Sequence, residues 1–116
     1  MVTRKADREV IKKEHVFGGE GYITNVIIEP SEVMYGKNRL FQHSTLTKGS
    51  EVAYHEHHGD GEVYYILTGE GEFNDNGTVT TVKAGDACWT GDGEGHSLKC
   101  ISDEPLEFIA LVVYSK

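Results

Sequence analysis

Gly49-Ser-Glu-Val-Ala-Tyr-His55-Glu-His57-His58-Gly-Asp-Gly-Glu62-Val-Tyr-Tyr-Ile-Leu-Thr-Gly69 is the most densely ordered stretch of the chain. Side chains alternate between the two faces of a strand, so His55 and His57 share a face and Glu56 points away. The run His58-Gly59-Asp60-Gly61 is rich in turn formers and is expected to reverse the chain. Glu62 then opens a second strand, Val63 to Leu67. Two imidazoles and a carboxylate would thus meet from neighbouring strands, the arrangement of a metal site. A third imidazole, His96, follows the glycine-punctuated segment Gly85 to Gly95 and precedes the strand-like Leu98 to Ile101.

These positions carry a family resemblance. Gly49, five residues, His55-x-His57, four residues, Glu62, six residues and Gly69 resemble the first cupin motif at each fixed position. Gly85, Gly93 and His96 resemble the second motif, although Gly91 stands where proline is usual and Cys100 where asparagine is usual. Both departures lie outside the ligand set and concern loop shape. The wording around the motifs is similar to small bacterial single-domain cupins of the oxalate-decarboxylase-like kind. The resemblance implies an all-β fold, a double-stranded β-helix (jelly roll) with an N-terminal strand or arm. It also implies a metal in the barrel mouth held by His55, His57, Glu62 and His96. The cofactor would be one divalent transition-metal ion: Mn, Fe, Ni, Co, Cu or Zn.

At 116 residues the chain fits one domain with a self-sufficient core. Its formal charge of −8, with Lys and Arg scattered, repels phosphate backbones, so neither nucleic acid nor an anionic membrane is an expected partner. A small anionic organic molecule is not excluded, because a divalent cation governs the charge of its own pocket. Met1 to Glu14 is charged and lacks an apolar run, and no span approaches the ~20 apolar residues of a bilayer crossing. A cytoplasmic protein is therefore expected. Cys88 and Cys100 lack zinc-type spacing and read as small buried apolar residues.

No repeat or linker divides the chain. Residues 1–21 read as an N-terminal arm and 22–116 as a single barrel domain. Within the arm, Lys5 to Lys13 suggests an extended piece or frayed turn, and Gly18-Gly19-Glu20-Gly21 a flexible joint. Tyr22 to Ile28 is strand-like and Ser31 to Asn38 is loop-like. Strands are expected over 39–47, 51–56, 62–68, 71–74, 78–82, 86–90, 97–101 and 106–114. Asn76-Gly77 suits the two positive-φ positions of a type I′ hairpin turn. No segment holds a helical apolar period, and short strands between glycine-rich turns argue for a sandwich or barrel.

Other residues are weighed by parity and context. Counting back from Leu46 puts Ser44, Gln42 and Leu40 on the interior face, so Gln42 is a candidate pocket group. Arg39 then has outward parity. Tyr64 points inward, where its hydroxyl either orients a ligand or packs in the core. Trp89, Phe73 and Phe108 read as core. Asp92 and Glu94, on the loop before His96, are candidate proton donors that also read as solvated turn residues. His58 belongs to the turn; His15 and His43 read as surface or structural.

In the family such a site serves decarboxylation and oxidation of oxalate, dioxygenation and sugar isomerisation, so the fold does not name a reaction. Two readings lead. One is a metal-dependent enzyme, a decarboxylase or dioxygenase acting on a small oxygen-rich anion at a centre with two open coordination positions, with Tyr64, Gln42 and Glu94 as candidate catalytic residues. The other is a non-catalytic module that binds or senses such an anion; a metal-dependent isomerase or structural relic is a more distant third. Decarboxylation needs a proton donor and a cationic anchor, and nothing in the sequence clearly fills either role. A homodimer is expected, with Tyr22 to Ile28 adding a strand to a neighbour's sheet.

Overall fold

The computed structural model describes residues Met1 to Lys116 and contains ten strands and three short 3₁₀ turns. The strands are β1 (Val10–Glu14), β2 (Tyr22–Ile27), β3 (Asn38–Leu46), β4 (Glu51–Glu56) and β5 (Asp60–Thr68). They continue as β6 (Glu70–Asp75), β7 (Thr78–Lys83), β8 (Ala87–Thr90), β9 (Gly95–Cys100) and β10 (Leu106–Tyr114). All pairings are antiparallel. Six strands form one sheet in the order β1-β2-β3-β10-β5-β8, and four form the other in the order β4-β9-β6-β7. This is the all-β architecture that the strand pattern predicts, in the two-sheet jelly-roll form that the motif resemblance implies.

Between the sheets, the inward residues of each strand interlock. Leu46, Ile66, Leu98, Leu106 and Val112 have no measurable exposure, and Phe108 and Phe73 lie among them. Each such side chain contributes about 1.5–3 kcal/mol on burial. The β6–β7 hairpin turns at Asn76 (φ 50°) and Gly77 (φ 105°), as the Asn-Gly pair predicts. Cys88 and Cys100 are buried and unpaired. Burial pushes the Cys88 thiol up to about 11, so it packs as an apolar group.

Two bulges matter for the site. On β4 the register steps from Val52↔Leu98 to His55↔His96, so three residues of β4 span two of β9. The extra residue lets Val52, His55 and His57 all turn inward; strict alternation from Val52 would send both imidazoles outside. On β3 the register steps from Leu40 to Asn38 against consecutive Val112 and Val113. That bulge leaves the side-chain amide of Asn38 fully buried without a partner, a cost of about 1–3 kcal/mol.

Several expectations are corrected. Part of the expected arm or frayed turn at Lys5 to Lys13 is a paired strand: β1 runs in register with β2 from Val10↔Val26 to Glu14↔Tyr22. Consequently β2 is flanked by β1 and β3 and is no free edge, so it cannot add to a neighbour's sheet. The Gly18–Gly21 segment is a packed crossing, not a loose joint. A Cβ on Gly21 would meet Ser50 Oγ at 2.1 Å, and Glu51 N donates to Glu20 O at 2.9 Å. Trp89 is not core, being 54% exposed on the outer face of β8. The turn before Glu62 is shorter than its composition suggests, since Asp60 and Gly61 already belong to β5.

Candidate metal centre

β4, β5 and β9 deliver His55, His57, Glu62 and His96 to one point, with one ligating atom from each within 4.8 Å of all the others. His57 follows directly on β4 and stays in line because its N–H donates to Glu94 O at 2.9 Å and its carbonyl accepts from Gly93 N–H at 2.7 Å. His57 and His96 are buried, Glu62 is buried, and His55 is half-buried.

The orientation of each imidazole is fixed from behind. His55 Nδ1–H donates to Ala53 O at 2.8 Å, and His57 Nδ1–H donates to Asp60 Oδ1 at 2.7 Å. His96 Nδ1 shares a hydrogen bond with Thr90 Oγ1 at 2.8 Å. A carbonyl and a carboxylate accept only, so in His55 and His57 the remaining Nε2 carries the lone pair. The three Nε2 atoms face one another: His57 to His96 is 3.1 Å, and His96 to His55 is 3.1 Å. Glu62 Oε1 lies 3.2 Å from both His57 Nε2 and His96 Nε2. Bonds of about 2.0–2.2 Å meeting near a right angle put neighbouring donors about 3 Å apart, so the four atoms fit a shared cation.

Charge follows the same pattern. Burial alone would raise Glu62, but hydrogen bonds with His57 and His96 outweigh it and hold the carboxyl below its ordinary value. Hydrogen bonding to Glu62 raises His57, whereas burial lowers His55. Burial would also raise Asp60, yet hydrogen bonds from His57 and Arg39 keep it low and ionised.

Above the donors lies a cavity of about 170 Å³ lined by residues of both sheets and of the N-terminal arm. Gln42 and Tyr64 line it, as their parity predicts. Tyr64 is buried, stacks on His96 with ring centroids 4.9 Å apart, and brings its hydroxyl 3.4 Å from His96 Nε2. Burial raises its pKa well above the ordinary tyrosine value. Glu94 is not among the lining residues; its carboxylate turns back to accept from Gly91 N–H at 2.7 Å. Asp92 is likewise occupied outside, by Gly59 N–H and the Ser115 hydroxyl. His58 is exposed in the bend, His15 Nδ1–H donates to Gly19 O, and His43 pairs with Glu107.

Four contributors escape a sequence reading. Asp60 looks like a turn former and Thr90 like a strand residue, yet each holds a ligand imidazole in place. Arg39 lines the cavity despite its outward parity, because the β3 bulge breaks the alternation there. Phe17, at φ 54°, stacks on His55 with centroids 4.0 Å apart and an interplanar angle of 11°. The Asp60 contact had one available signal, the His-x-x-Asp spacing; the others had none.

Known proteins resemble this chain in sequence and fold. Residues 42–114 match the family model described as Cupin domain. The oxalate-binding protein of Thermotoga maritima is 40% identical over 113 residues, covering 97% of this chain and 93% of that relative. The crystal structure of a predicted oxalate decarboxylase from the same organism matches with a TM-score of 0.93 at 39% identity, covering 98% of this chain and 99% of that one. An RmlC-like cupin from Shewanella frigidimarina shares the fold at a TM-score of 0.74 and 18% identity, covering 98% and 90% of the two chains. On its strand order, its motif spacings and these matches, the chain belongs to the cupin family.

Proposed function

We propose that His55, His57, Glu62 and His96 hold one divalent transition-metal ion and that the loaded site binds a small oxygen-rich anion, oxalate or a close relative. The observation that carries this reading is the convergence of four donor atoms beside a cavity that two of the donor residues, His55 and Glu62, line together with Arg39 and Lys13. Nitrogen and oxygen donors without thiolate suit Mn, Fe, Co, Ni, Cu or Zn. Such an ion, when bound, supplies Lewis acidity toward anionic oxygens. Three neutral imidazoles and one carboxylate leave about one unit of positive charge on it. Donor spacings of 3.1–3.2 Å suit bonds meeting near a right angle, and an octahedral ion held by these four residues would keep two positions for ligand oxygens.

The size of the cavity narrows the ligand. At about 170 Å³ it falls below the roughly 300–1,000 Å³ of sites for drug-sized molecules, which favours a compact anion over a nucleotide or sugar. The oxalate-binding relative supports the same class.

Binding without turnover is the favoured form. Glu62, itself a donor in the cluster, is the sole carboxylic residue lining the cavity, and Glu94 is turned away to Gly91. The decarboxylase or dioxygenase reading rests on Tyr64, whose protonated hydroxyl adjoins the centre. Calorimetry with oxalate on manganese- or iron-loaded protein tests the binding, and formate release or oxygen uptake tests the chemistry. Saturable binding with neither product nor oxygen consumption supports the module; turnover above the blank makes the protein an enzyme.

We further propose that residues 22–116 form a single barrel domain to whose sheet the preceding arm adds β1 as an edge strand, that the protein is a homodimer, and that its setting is cytoplasmic. Two buried free thiols support the last, and no helix is long and apolar enough to cross a membrane. The open strand edge available for pairing is β1 rather than β2. A monomer by light scattering at micromolar concentration refutes the dimer.

A further inference from the structure

We propose that Arg39 selects for a dicarboxylate by gripping the end of the anion that faces away from the metal. This assignment deepens the anion-binding reading above and rests on it. Arg39 lines the same cavity as His55, Glu62, Gln42 and Tyr64. Its Nε donates to Asp60 Oδ2 at 2.9 Å, while the other oxygen of Asp60 accepts from His57 Nδ1–H at 2.7 Å. One buried carboxylate therefore orients both the arginine and an imidazole of the metal cluster. The guanidinium is engaged through Nε alone, and the side chain is 48% exposed. Its two terminal amino groups are left as a fork, the geometry that pairs with a carboxylate through two parallel hydrogen bonds.

The backbone beneath Arg39 points the same way. The β3 bulge brings this residue to the cavity against its parity, and the chain retains beside it the buried, partnerless amide of Asn38. An uncompensated local cost held next to a cavity is a mark of a position kept for what it aims.

Charge singles out the same residue. In a chain of net charge −8, the cavity is lined by two cations, Arg39 and Lys13, against one carboxylate, Glu62. Lys13 is exposed on β1 and carries a single-point ammonium with no ion-pair partner to fix it. It raises the local potential but does not discriminate shapes. Arg39 is tethered, planar and two-pronged.

Oxalate and glycolate separate the two ends of the ligand. Both offer a metal two oxygens on adjacent carbons, but in that pose oxalate turns two further oxygens, one from each carboxylate, toward a two-pronged guanidinium, and glycolate turns only one. Isothermal titration calorimetry on manganese-loaded wild type, Arg39→Gln and Arg39→Lys tests the assignment. The Gln variant is expected to lose about 30-fold or more in oxalate affinity and less than about 3-fold in glycolate affinity. The Lys variant, which keeps charge but not the fork, falls between, and manganese content by elemental analysis stays at the wild-type value. Unchanged oxalate affinity in the Gln variant overturns the assignment and leaves the metal–anion site standing. Equal losses for both ligands, or loss of manganese, make Arg39 a support of His57 through Asp60 and also overturn it. Wild-type protein that binds manganese but neither anion removes the anion site and this assignment together.

Discussion

The donors on the cavity floor and the residues at its mouth are built by different means. His55, His57, Glu62 and His96 lie on or directly beside β4, β5 and β9, largely buried, each imidazole pinned through its second nitrogen. The mouth draws Lys13, Val16 and Phe17 from the N-terminal segment and Arg39 from β3. Two of its members depend on irregular backbone, a left-handed φ at Phe17 and a bulge under Arg39. The donors are held from behind by hydrogen bonds; the mouth residues Lys13, Phe17 and Arg39 are more exposed. One feature joins them. Asp60 touches both His57 and Arg39.

Substitutions should separate the two regions, and the largest effect is on the floor. His57→Ala or His96→Ala is expected to drop metal content from about one ion per chain to near zero, more than the roughly 10–100-fold that loss of an outer partner costs. Unchanged metal by elemental analysis would refute the ligand set. Next comes the shared residue. Asp60→Ala should weaken metal binding by about 10–100-fold, and Asp60→Asn by less, because the amide still accepts from His57. If both variants bind metal like wild type, the floor does not need its support from Asp60.

Acidity gives the third contrast. A proton on an imidazole competes with the metal, and the hydrogen bond to Glu62 holds the proton of His57 on above the ordinary histidine value. Burial lowers His55, which is already neutral there. Metal affinity should therefore rise with pH while His57 is protonated, by up to about tenfold per unit, and flatten only above the ordinary histidine range, where His57 has lost its proton. A titration series with no slope near neutrality would remove His57 from the competition.

The smallest effect belongs to the mouth. Phe17 is 64% exposed and sits at φ 54°, a conformation that costs a non-glycine residue roughly 1–2 kcal/mol. Phe17→Gly should thus be more stable than Phe17→Ala by about 1 kcal/mol in denaturant melts, with metal content untouched in both. Equal stabilities would mean the segment relaxes when the ring is removed.

The same division explains what the sequence reveals. His55, His57, Glu62 and Gly69 are separated by fixed numbers of residues along two strands and a turn, so spacing alone brings their donors together. Gln42 and Tyr64 obey simple alternation and were placed correctly on the interior face. Arg39 was not, because a bulge is an exception to alternation and leaves no mark in residue type. β1 was missed because Val10 to Glu14 has only one half-buried position, Ile11, and its order comes from backbone pairing with β2. Trp89 misleads for the opposite reason: its apolar bulk lies on the outer face against Gly61, where a Cβ would meet the indole at 2.7 Å. Pairing partners distant in the chain decide each of these, and composition does not encode them.

The final strand carries one more consequence. β10 lies between β3 and β5 and is the sole link by which β1, β2 and β3 join the rest of their sheet. A ribosome releases β10 well after β1, β2 and β3, so those three strands lack their link to the rest of the sheet until Leu106 to Tyr114 emerge. Chains stalled before Leu106 should accordingly be cut readily by protease within β1 to β3, while chains that include β10 resist.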